Sequence, residues 1–236
     1  KFLNMKLLKI TGAVILSLGM LLSSSCSTMN NTGKGALIGG GGGAALGAGL
    51  GALIGGGKGA AIGSAIGAGV GAGAGALIGK KMDNQQKELA QSLPQATVEE
   101  TTDQNGLQAI KVTFPGGILF PTNGTTLSAS AKSELSNFVV SLRDNPLTDV
   151  QIYGFTDNTG TEAVNQRVST GRADAVLAYL VNSGIAPSRC TAQGIPMAGY
   201  VASNATPEGR AQNRRVEIYV TASKQMVQEA ENGTLR

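Results

Sequence analysis

Apolar side chains recur every three or four residues in two stretches of the second half of the chain, which is the period of an amphipathic helix. The first stretch covers residues 131–142, where Ser128 or Ser130 supplies an N-terminal cap, and the second covers residues 173–180 and ends before Gly184. Each stretch therefore predicts a helix with one buried face. The apolar positions are Ala131, Leu135, Phe138, Val139 and Leu142 in the first stretch and Ala173, Val176, Leu177 and Leu180 in the second.

A β-hairpin is predicted just before these helices. Residues 97–102 and 107–114 are rich in β-branched and apolar residues, and between them lies the pair Asn105 and Gly106. An Asn-Gly pair between two such runs is a strong signal for a tight hairpin turn. The two runs are therefore expected to pair as antiparallel strands.

Three further stretches predict the remaining strands. Residues 150–155 and 216–221 alternate apolar and polar side chains, and a short β-prone stretch surrounds Cys190. The predicted order is β-hairpin, helix, strand, helix, short strand and strand. This order indicates the α+β class, with two helices on one face of a mixed sheet in a βαβαββ arrangement.

The first half of the chain follows a different pattern, because a glycine occupies every fourth position from Gly35 to Gly79, twelve in all. Small residues at this spacing let helices pack closely inside a lipid bilayer. In water each interior glycine would cost a helix about 1 kcal/mol relative to alanine. Two charge-free stretches, 35–57 and 59–79, each approach the ~20 residues that span a bilayer core. The row predicts a membrane-associated helical hairpin over residues 35–81.

A flexible linker and a dinucleotide-binding loop are two other interpretations of the glycine row. Flexible linkers are usually rich in glycine and serine, whereas this row contains regularly placed leucine, isoleucine and valine. A dinucleotide-binding glycine loop would need a preceding strand and a downstream acidic residue, and no carboxylate occurs between Lys34 and Met82. The linker therefore stays open as the weaker alternative, and nucleotide binding is not expected.

The N-terminal segment has the organisation of a secretory signal. Lys6 and Lys9 form a basic region, residues 10–22 form an apolar region, and residues 23–25 are serines directly before Cys26. This arrangement resembles a bacterial lipoprotein signal, in which the cysteine is the lipid acceptor. Ordinary signal cleavage that leaves a free Cys26 is the alternative.

Composition restricts the chemistry that the chain can perform. The sequence contains no histidine, so histidine-based catalysis and zinc chemistry are not expected. The second of its two cysteines, Cys190, is expected to be a buried small hydrophobe, and no cofactor or metal is expected. The net charge of +4 comes mainly from lysines of the signal and the glycine row, and from Thr97 onward charges nearly balance. Nucleic acid is therefore not an expected partner.

Three motifs in the second half carry a family resemblance. They are GFTDNTG at residues 154–160, VSTGRA at 168–173 and GRAQNRRVEI at 209–218. Together they resemble the OmpA-like domain, the peptidoglycan-binding module of Gram-negative outer-membrane proteins, over about residues 97–222. A lipoprotein signal, a glycine-zipper segment and this domain in series resemble one subgroup of OmpA-like lipoproteins.

The resemblance implies a binding site for the diaminopimelate of the peptidoglycan stem peptide, whose free end carries an ammonium and a carboxylate. A receptor for such a group needs a fixed anion and a fixed cation, preferably a guanidinium that binds the carboxylate through two hydrogen bonds. The resemblance assigns the ammonium to Asp157 and the carboxylate to Arg172, with Thr156, Asn165 and Arg214 in support. The plainer alternative is that Asp157 only caps a turn and that Arg172 lies on a helix surface.

The sequence as a whole predicts a non-enzymatic lipoprotein of the outer membrane, held by lipid on Cys26 and by the glycine hairpin, with its C-terminal domain bound to peptidoglycan in the periplasm. The alternative is an oligomer or pore formed through the glycine row, with the domain serving only as wall anchor. Arg215 is expected to have a structural role. The predicted segments are a signal peptide (1–25), a lipidated tether (26–34), the glycine hairpin (35–81), a short polar helix or linker (82–96), the OmpA-like domain (97–222) and a tail (223–236).

Overall fold

The computed structural model describes residues 70–103, 105–121 and 124–236. The predicted signal peptide, the lipidation site at Cys26 and the glycine row up to residue 69 lie outside the described residues.

Within this part of the chain, five strands form one mixed sheet with the order β1-β2-β5-β3-β4. Strands β3 and β4 are parallel, and the other neighbouring pairs are antiparallel. The predicted hairpin is β1–β2, and Gly106 in its turn has a φ of 75°, a conformation that glycine adopts without strain. The predicted mixed sheet is confirmed. The strands are β1 Thr97–Thr102, β2 Gln108–Pro115, β3 Thr148–Phe155, β4 Cys190–Ile195 and β5 Arg215–Ala222.

Six α-helices are present in the described residues, together with a 3₁₀ turn at Pro187–Arg189. The two helices predicted from apolar periodicity are α3 and α4. Their N-termini are capped by Ser128 and Thr161, whose side chains accept hydrogen bonds from backbone N–H groups of the first turn. The helices are α1 Ala72–Ser92, α2 Gly116–Leu119, α3 Ala129–Asp144, α4 Glu162–Asn182, α5 Pro207–Asn213 and α6 Lys224–Glu231.

The main core lies between one face of the sheet and helices α1, α3, α4 and α6. Leu135 and Phe138 of α3 pack in the same buried cluster as Ile152 of β3 and Ile218 of β5. Because side chains alternate along a strand, the opposite face presents a second set of residues. That set forms a small separate cluster of Tyr153, Phe155, Ile195 and Tyr219. The predicted α+β arrangement with helices on one sheet face is confirmed.

Helix α1 runs through the predicted boundary between residues 81 and 82. Ile78, Met82 and Leu89 on one side of this helix are fully buried in the main core. The Asp83 carboxylate accepts a hydrogen bond of 2.6 Å from the side-chain amide of Gln108 in β2. Helix α1 thus continues across the predicted boundary at 81/82, and residues 82–92, for which the sequence predicts a short polar helix or linker, form part of a helix that packs on the sheet.

The last three glycines of the row lie at the beginning of this same helix. Gly75 and Gly79 are buried, and a Cβ added at Gly79 would lie 3.0 Å from Oε1 of Gln108. At this end of the row the small residues therefore permit close packing of α1 on the sheet. No helix among the described residues combines the length and the apolar character that a membrane crossing requires.

The predicted tail after residue 222 also contains a packed helix. Ser223 caps α6, and Met226, Val227 and Ala230 are buried. Helix α6 packs against α1, so the two ends of the described body meet on the same side of the sheet. An apolar stripe thus attaches residues 224–231 of the predicted tail to the core.

Candidate functional site

Asp157 lies in the loop that follows β3, and only 4% of its side chain is exposed. Its Oδ1 atom accepts hydrogen bonds from the backbone N–H of Thr159, at 2.8 Å, and from the Thr159 hydroxyl. Its Oδ2 atom accepts a hydrogen bond from Nη1 of Arg214 at 2.6 Å. One carboxylate oxygen is thus held within its own loop, and the other forms an ion pair with a residue 57 positions away.

The environment keeps Asp157 ionised. Burial acts to raise the pKa of this carboxyl, but the hydrogen bonds from Thr159 and Arg214 and the positive charge of Arg214 outweigh it. The pKa of Asp157 therefore lies below its ordinary value of 3.8. A fixed negative charge is present at this position at neutral pH.

Arg172 supplies a positive charge close to this carboxylate. Only 3% of Arg172 is exposed. Its Nε donates a hydrogen bond of 3.0 Å to the carbonyl oxygen of Gly124, and its guanidinium lies 5.3 Å from the ring centre of Phe120. Within the described part of the chain, no carboxylate forms an ion pair with Arg172. Arg172 is therefore a nearly buried cation that has no counter-charge in contact with it among residues 70–103, 105–121 and 124–236.

The pKa of Arg172 lies below its ordinary value. Burial is the largest cause, the like charge of Arg214 lowers the pKa further, and the charge of Asp157 opposes the shift. Asp157, Arg172 and Arg214 are thus close enough to influence one another electrostatically. The structure brings these three predicted site residues together, and they contain two cations and one anion.

Glycines place α4, and with it Arg172, directly on the sheet. A Cβ added at Gly154 of β3 would lie 2.2 Å from the carbonyl oxygen of Ser169, and one added at Gly194 of β4 would lie 2.4 Å from the backbone nitrogen of Thr170. No larger residue fits at either strand position without moving the helix. The helix backbone is consequently fixed two to three residues before Arg172.

Thr156 and Asn165 hold the loops around the site. The Thr156 hydroxyl oxygen accepts a hydrogen bond of 3.0 Å from the backbone N–H of Met197. The side-chain amide of Asn165 donates to the carbonyl oxygens of Thr159 and Thr161, at 2.8 and 3.1 Å. These bonds all lie within the protein, so both residues position the Asp157 loop, and their direct contact with a ligand stays a prediction.

The two adjacent arginines at the start of β5 have different environments. The Arg214 side chain is 41% exposed, whereas that of Arg215 is 5% exposed. Arg215 pairs with Glu217 at 2.7 Å, donates to the carbonyl oxygen of Gly199 at 2.8 Å, and lies 3.9 Å above the ring centre of Phe155. These contacts support the structural role expected for Arg215.

Sequence reasoning missed the role of Asn213. This side chain is fully buried, and its Oδ1 accepts hydrogen bonds from the backbone N–H groups of Val201 and Ala202. Its Nδ2 donates to the carbonyl oxygen of Ala202 and to Oδ1 of Asn204. Asn213 thereby fixes the loop before α5. Its place in the third motif was visible in the sequence, but no local pattern indicated which loop it would bind.

Comparison with known proteins agrees with this fold. Residues 119–214 match the model of the OmpA family, and residues 5–83 match the model of the YMGG-like Gly-zipper. The chain therefore contains an OmpA family domain, and the predicted resemblance is confirmed.

Individual relatives are similar over the same part of the chain. Over 109 residues the chain is 39% identical to "Probable lipoprotein YiaD" of Escherichia coli K12, and the aligned residues make up 46% of this chain and 50% of YiaD. Over 112 residues it is 42% identical to "Peptidoglycan-binding protein ArfA" of Mycobacterium tuberculosis H37Rv, and the aligned residues make up 48% of this chain and 34% of ArfA. The chain thus spans half the length of the first relative and about a third of the second.

A solved structure is similar as well. The cell wall anchor of the T6SS from Pseudomonas aeruginosa is 30% identical, with a TM-score of 0.50. The similarity covers 57% of this chain and 97% of that structure.

Proposed function

We propose that this chain is a non-enzymatic anchor that binds peptidoglycan from the outer membrane, and that its site holds the zwitterionic end of diaminopimelate. The observation that carries the proposal is the nearly buried guanidinium of Arg172, which has no carboxylate partner in the described residues and lies beside the ionised Asp157. A zwitterion offers one opposite charge to each of these groups.

The cost of burying Arg172 supports an anionic ligand. A buried charge is expensive unless it is paired and hydrogen-bonded, and the contacts that Arg172 makes with the described residues are one carbonyl oxygen and one aromatic ring. A ligand carboxylate could form a charge-assisted, bidentate pair with this guanidinium. The second cation, Arg214, adds positive potential on the same side. The site thus favours a carboxylate.

Asp157 supports recognition of the ammonium group. Its Oδ1 is bound within the loop by Thr159, which fixes the carboxylate in one orientation, while Oδ2 points to the half-exposed Arg214. A positively charged group that approaches along the same direction would find an oriented anion. The combination of the anion Asp157 with the cation Arg172 favours a ligand with both charges over a simple dicarboxylate.

Attachment to the outer membrane is proposed from the sequence and from the names of relatives. Cys26 is the proposed lipid acceptor, and the glycine row is the proposed membrane-associated segment. One relative is named as a lipoprotein, and another as peptidoglycan-binding. Many copies on one membrane facing a polymeric wall would gain avidity through effective concentration, so modest affinity at each site suffices.

The experiment is co-sedimentation of the full chain, in non-ionic detergent, with purified sacculi. Asp157→Asn and Arg172→Gln each remove one charge, and Asp144→Asn and Arg167→Gln are matched controls at exposed positions. Both site variants should lose at least about tenfold in apparent affinity, because each leaves a ligand charge without its partner. The controls should bind like the wild type. Wild-type binding by both site variants would defeat the proposal.

A further inference from the structure

The arrangement of Arg214 over Asp157 raises a question of access. The Asp157 side chain is 4% exposed, and its Oδ2 is occupied by Nη1 of Arg214 at 2.6 Å. Its other oxygen is bound by Thr159. Thr159 and Arg214 thus occupy three of the four lone-pair positions of this nearly buried carboxylate, and a ligand ammonium would gain full access to Oδ2 if Arg214 moved away from it.

We propose that Arg214 is an exchangeable internal substitute for the ligand's ammonium group. It covers Asp157 until an ammonium takes its place, and its guanidinium then turns to the carboxylate of the same ligand, beside Arg172. This inference rests on the proposed function and adds the order of events at the site. It assigns to Arg214 selection for ligands that carry both charges.

The backbone of Arg214 is fixed, which confines the exchange to the side chain. Its N–H donates to the carbonyl oxygen of Arg210 at 3.0 Å, and its carbonyl oxygen accepts from the N–H of Gly116 at 2.8 Å. A Cβ added at Gly116 would lie 2.3 Å from that carbonyl oxygen, so the two backbones are in close contact. The base of the side chain cannot shift far, whereas its end has room to rotate.

The contacts of the guanidinium are few enough to be exchanged. Within the described residues, the Arg214 side chain has one hydrogen-bond partner, Asp157, and is 41% exposed. Its neighbour Arg215 is almost buried, bound to Glu217 and Gly199 and stacked on Phe155. Water can solvate the Arg214 guanidinium once it is released, and the ligand ammonium then pairs with the nearly buried Asp157 in its place. Releasing Arg214 thus costs less than releasing the nearly buried Arg215 would.

The direction of the movement follows from charge. Arg214 lies close enough to Arg172 to lower its pKa by repulsion, so a carboxylate bound by Arg172 would also lie within the electrostatic reach of Arg214. A carboxylate placed there would attract both. A ligand with an ammonium alone would have to displace Arg214 without offering it a new partner, and should bind weakly.

The test uses the full chain in detergent and two probes, diaminopimelate and its diamide, which keeps both ammonium groups and lacks the carboxylates. Arg214→Gln is compared with Arg167→Gln, which removes the same charge from an exposed position of α4. Relative to that control, Arg214→Gln should bind the diamide about two- to fivefold more tightly, because the competitor for Asp157 is gone. It should bind diaminopimelate at least about threefold more weakly, because one guanidinium for the carboxylate is lost.

A crystal structure with diaminopimelate provides a second readout. The distance between Nη1 of Arg214 and Oδ2 of Asp157 should lengthen from 2.6 Å to more than about 4 Å, beyond an ion pair. An unchanged distance, or weakening of both probes by the same factor in Arg214→Gln, would overturn the exchange while leaving the proposed function intact. If the wild type binds no diaminopimelate at all, both proposals fail.

Discussion

Two charged clusters lie near the start of β5, and they differ in how completely the protein satisfies them. The first contains Asp157, Arg172 and Arg214, with two cations for one anion and a half-exposed Arg214. The second contains Arg215 and Glu217, which are 5% and 6% exposed in their side chains and pair at 2.7 Å. In the described part of the chain, the charges of the second cluster pair with each other and close it, whereas one cation of the first cluster, Arg172, has no carboxylate in contact with it. Only the first cluster therefore has the electrostatic requirements of a ligand site.

Further contacts of the second cluster show why it is closed. The Tyr219 hydroxyl donates a hydrogen bond of 2.8 Å to Oε2 of Glu217, so both carboxylate oxygens are occupied. Burial first, and then the charge of Glu217, raise the pKa of Tyr219 far above its ordinary value, so the hydroxyl stays protonated and remains a donor. Tyr153 packs edge-on against Tyr219, with ring centres 5.7 Å apart. This cluster stabilises the sheet face that lies opposite the main core.

The largest expected effect comes from removing the cation of the buried Arg215–Glu217 pair. Arg215→Met would leave the buried Glu217 carboxylate without its cation and should lower the free energy of unfolding by about 3–5 kcal/mol. Denaturant unfolding of the full chain in detergent measures this. The double variant Arg215→Met/Glu217→Gln should recover a large part of the loss, since no buried charge is then unpaired. A loss below about 1 kcal/mol in the single variant would show that the Arg215–Glu217 pair is no more important for stability than an exposed ion pair, and would contradict the difference drawn between the two clusters.

The same substitution in the other cluster should behave differently. Arg172→Met removes a cation that has no carboxylate in contact with it in the described residues, so no buried anion is stranded. We expect the free energy of unfolding to change by less than about 1 kcal/mol, because relief of the burial cost offsets the lost bond to Gly124. Binding to sacculi should nevertheless be lost. If Arg172→Met destabilises the fold as much as Arg215→Met does, Arg172 is a structural residue.

The smallest expected effect is on the pH dependence of stability. The pKa of Asp157 is lowered in the folded state, so its ionised form contributes stability above the ordinary value of 3.8, and this contribution is lost as the pH falls through the lower folded-state value. Unfolding free energies of the wild type and Asp157→Asn should differ by a constant amount between about pH 5 and 7. The difference should shrink below pH 3.8. A difference that shrinks already near neutral pH would contradict the assigned ionisation.

The sequence predicted those elements whose signals are local. The period of α3 with its Ser128 cap, and the Asn105-Gly106 turn of the hairpin, depend on neighbouring residues, and the structure contains both. The two parts of helix α1 were assigned to different segments from the sequence, because interior glycines disfavour a helix in water. Packing of Ile78 and Met82 in the core overrides that preference. Helix α6 was missed although Ser223 was available as a cap, because its few apolar residues did not stand out in a polar segment.

The candidate site likewise contains residues that the sequence predicted and contacts that it did not predict. Asp157 and Arg172 were identified through motifs in the sequence, and the helix and loop that carry them were predictable. The pairing of Asp157 with Arg214 was not, because it depends on β3 and β5 being neighbours in the sheet. The bracing role of Asn213 likewise depends on how the loop before α5 returns to the strand. Such long-range contacts leave no periodic signal in the chain.

The central claim is that Asp157 and Arg172 together hold the two charges of one ligand. Calorimetric titration of the full chain with diaminopimelate tests it most directly, with Asp157→Asn, Arg172→Gln and the control Arg167→Gln measured alongside. The account predicts saturable binding at one site in the wild type and the control, and a loss of at least about tenfold in each site variant. Binding of equal strength in all four proteins, or its absence from the wild type, would contradict it.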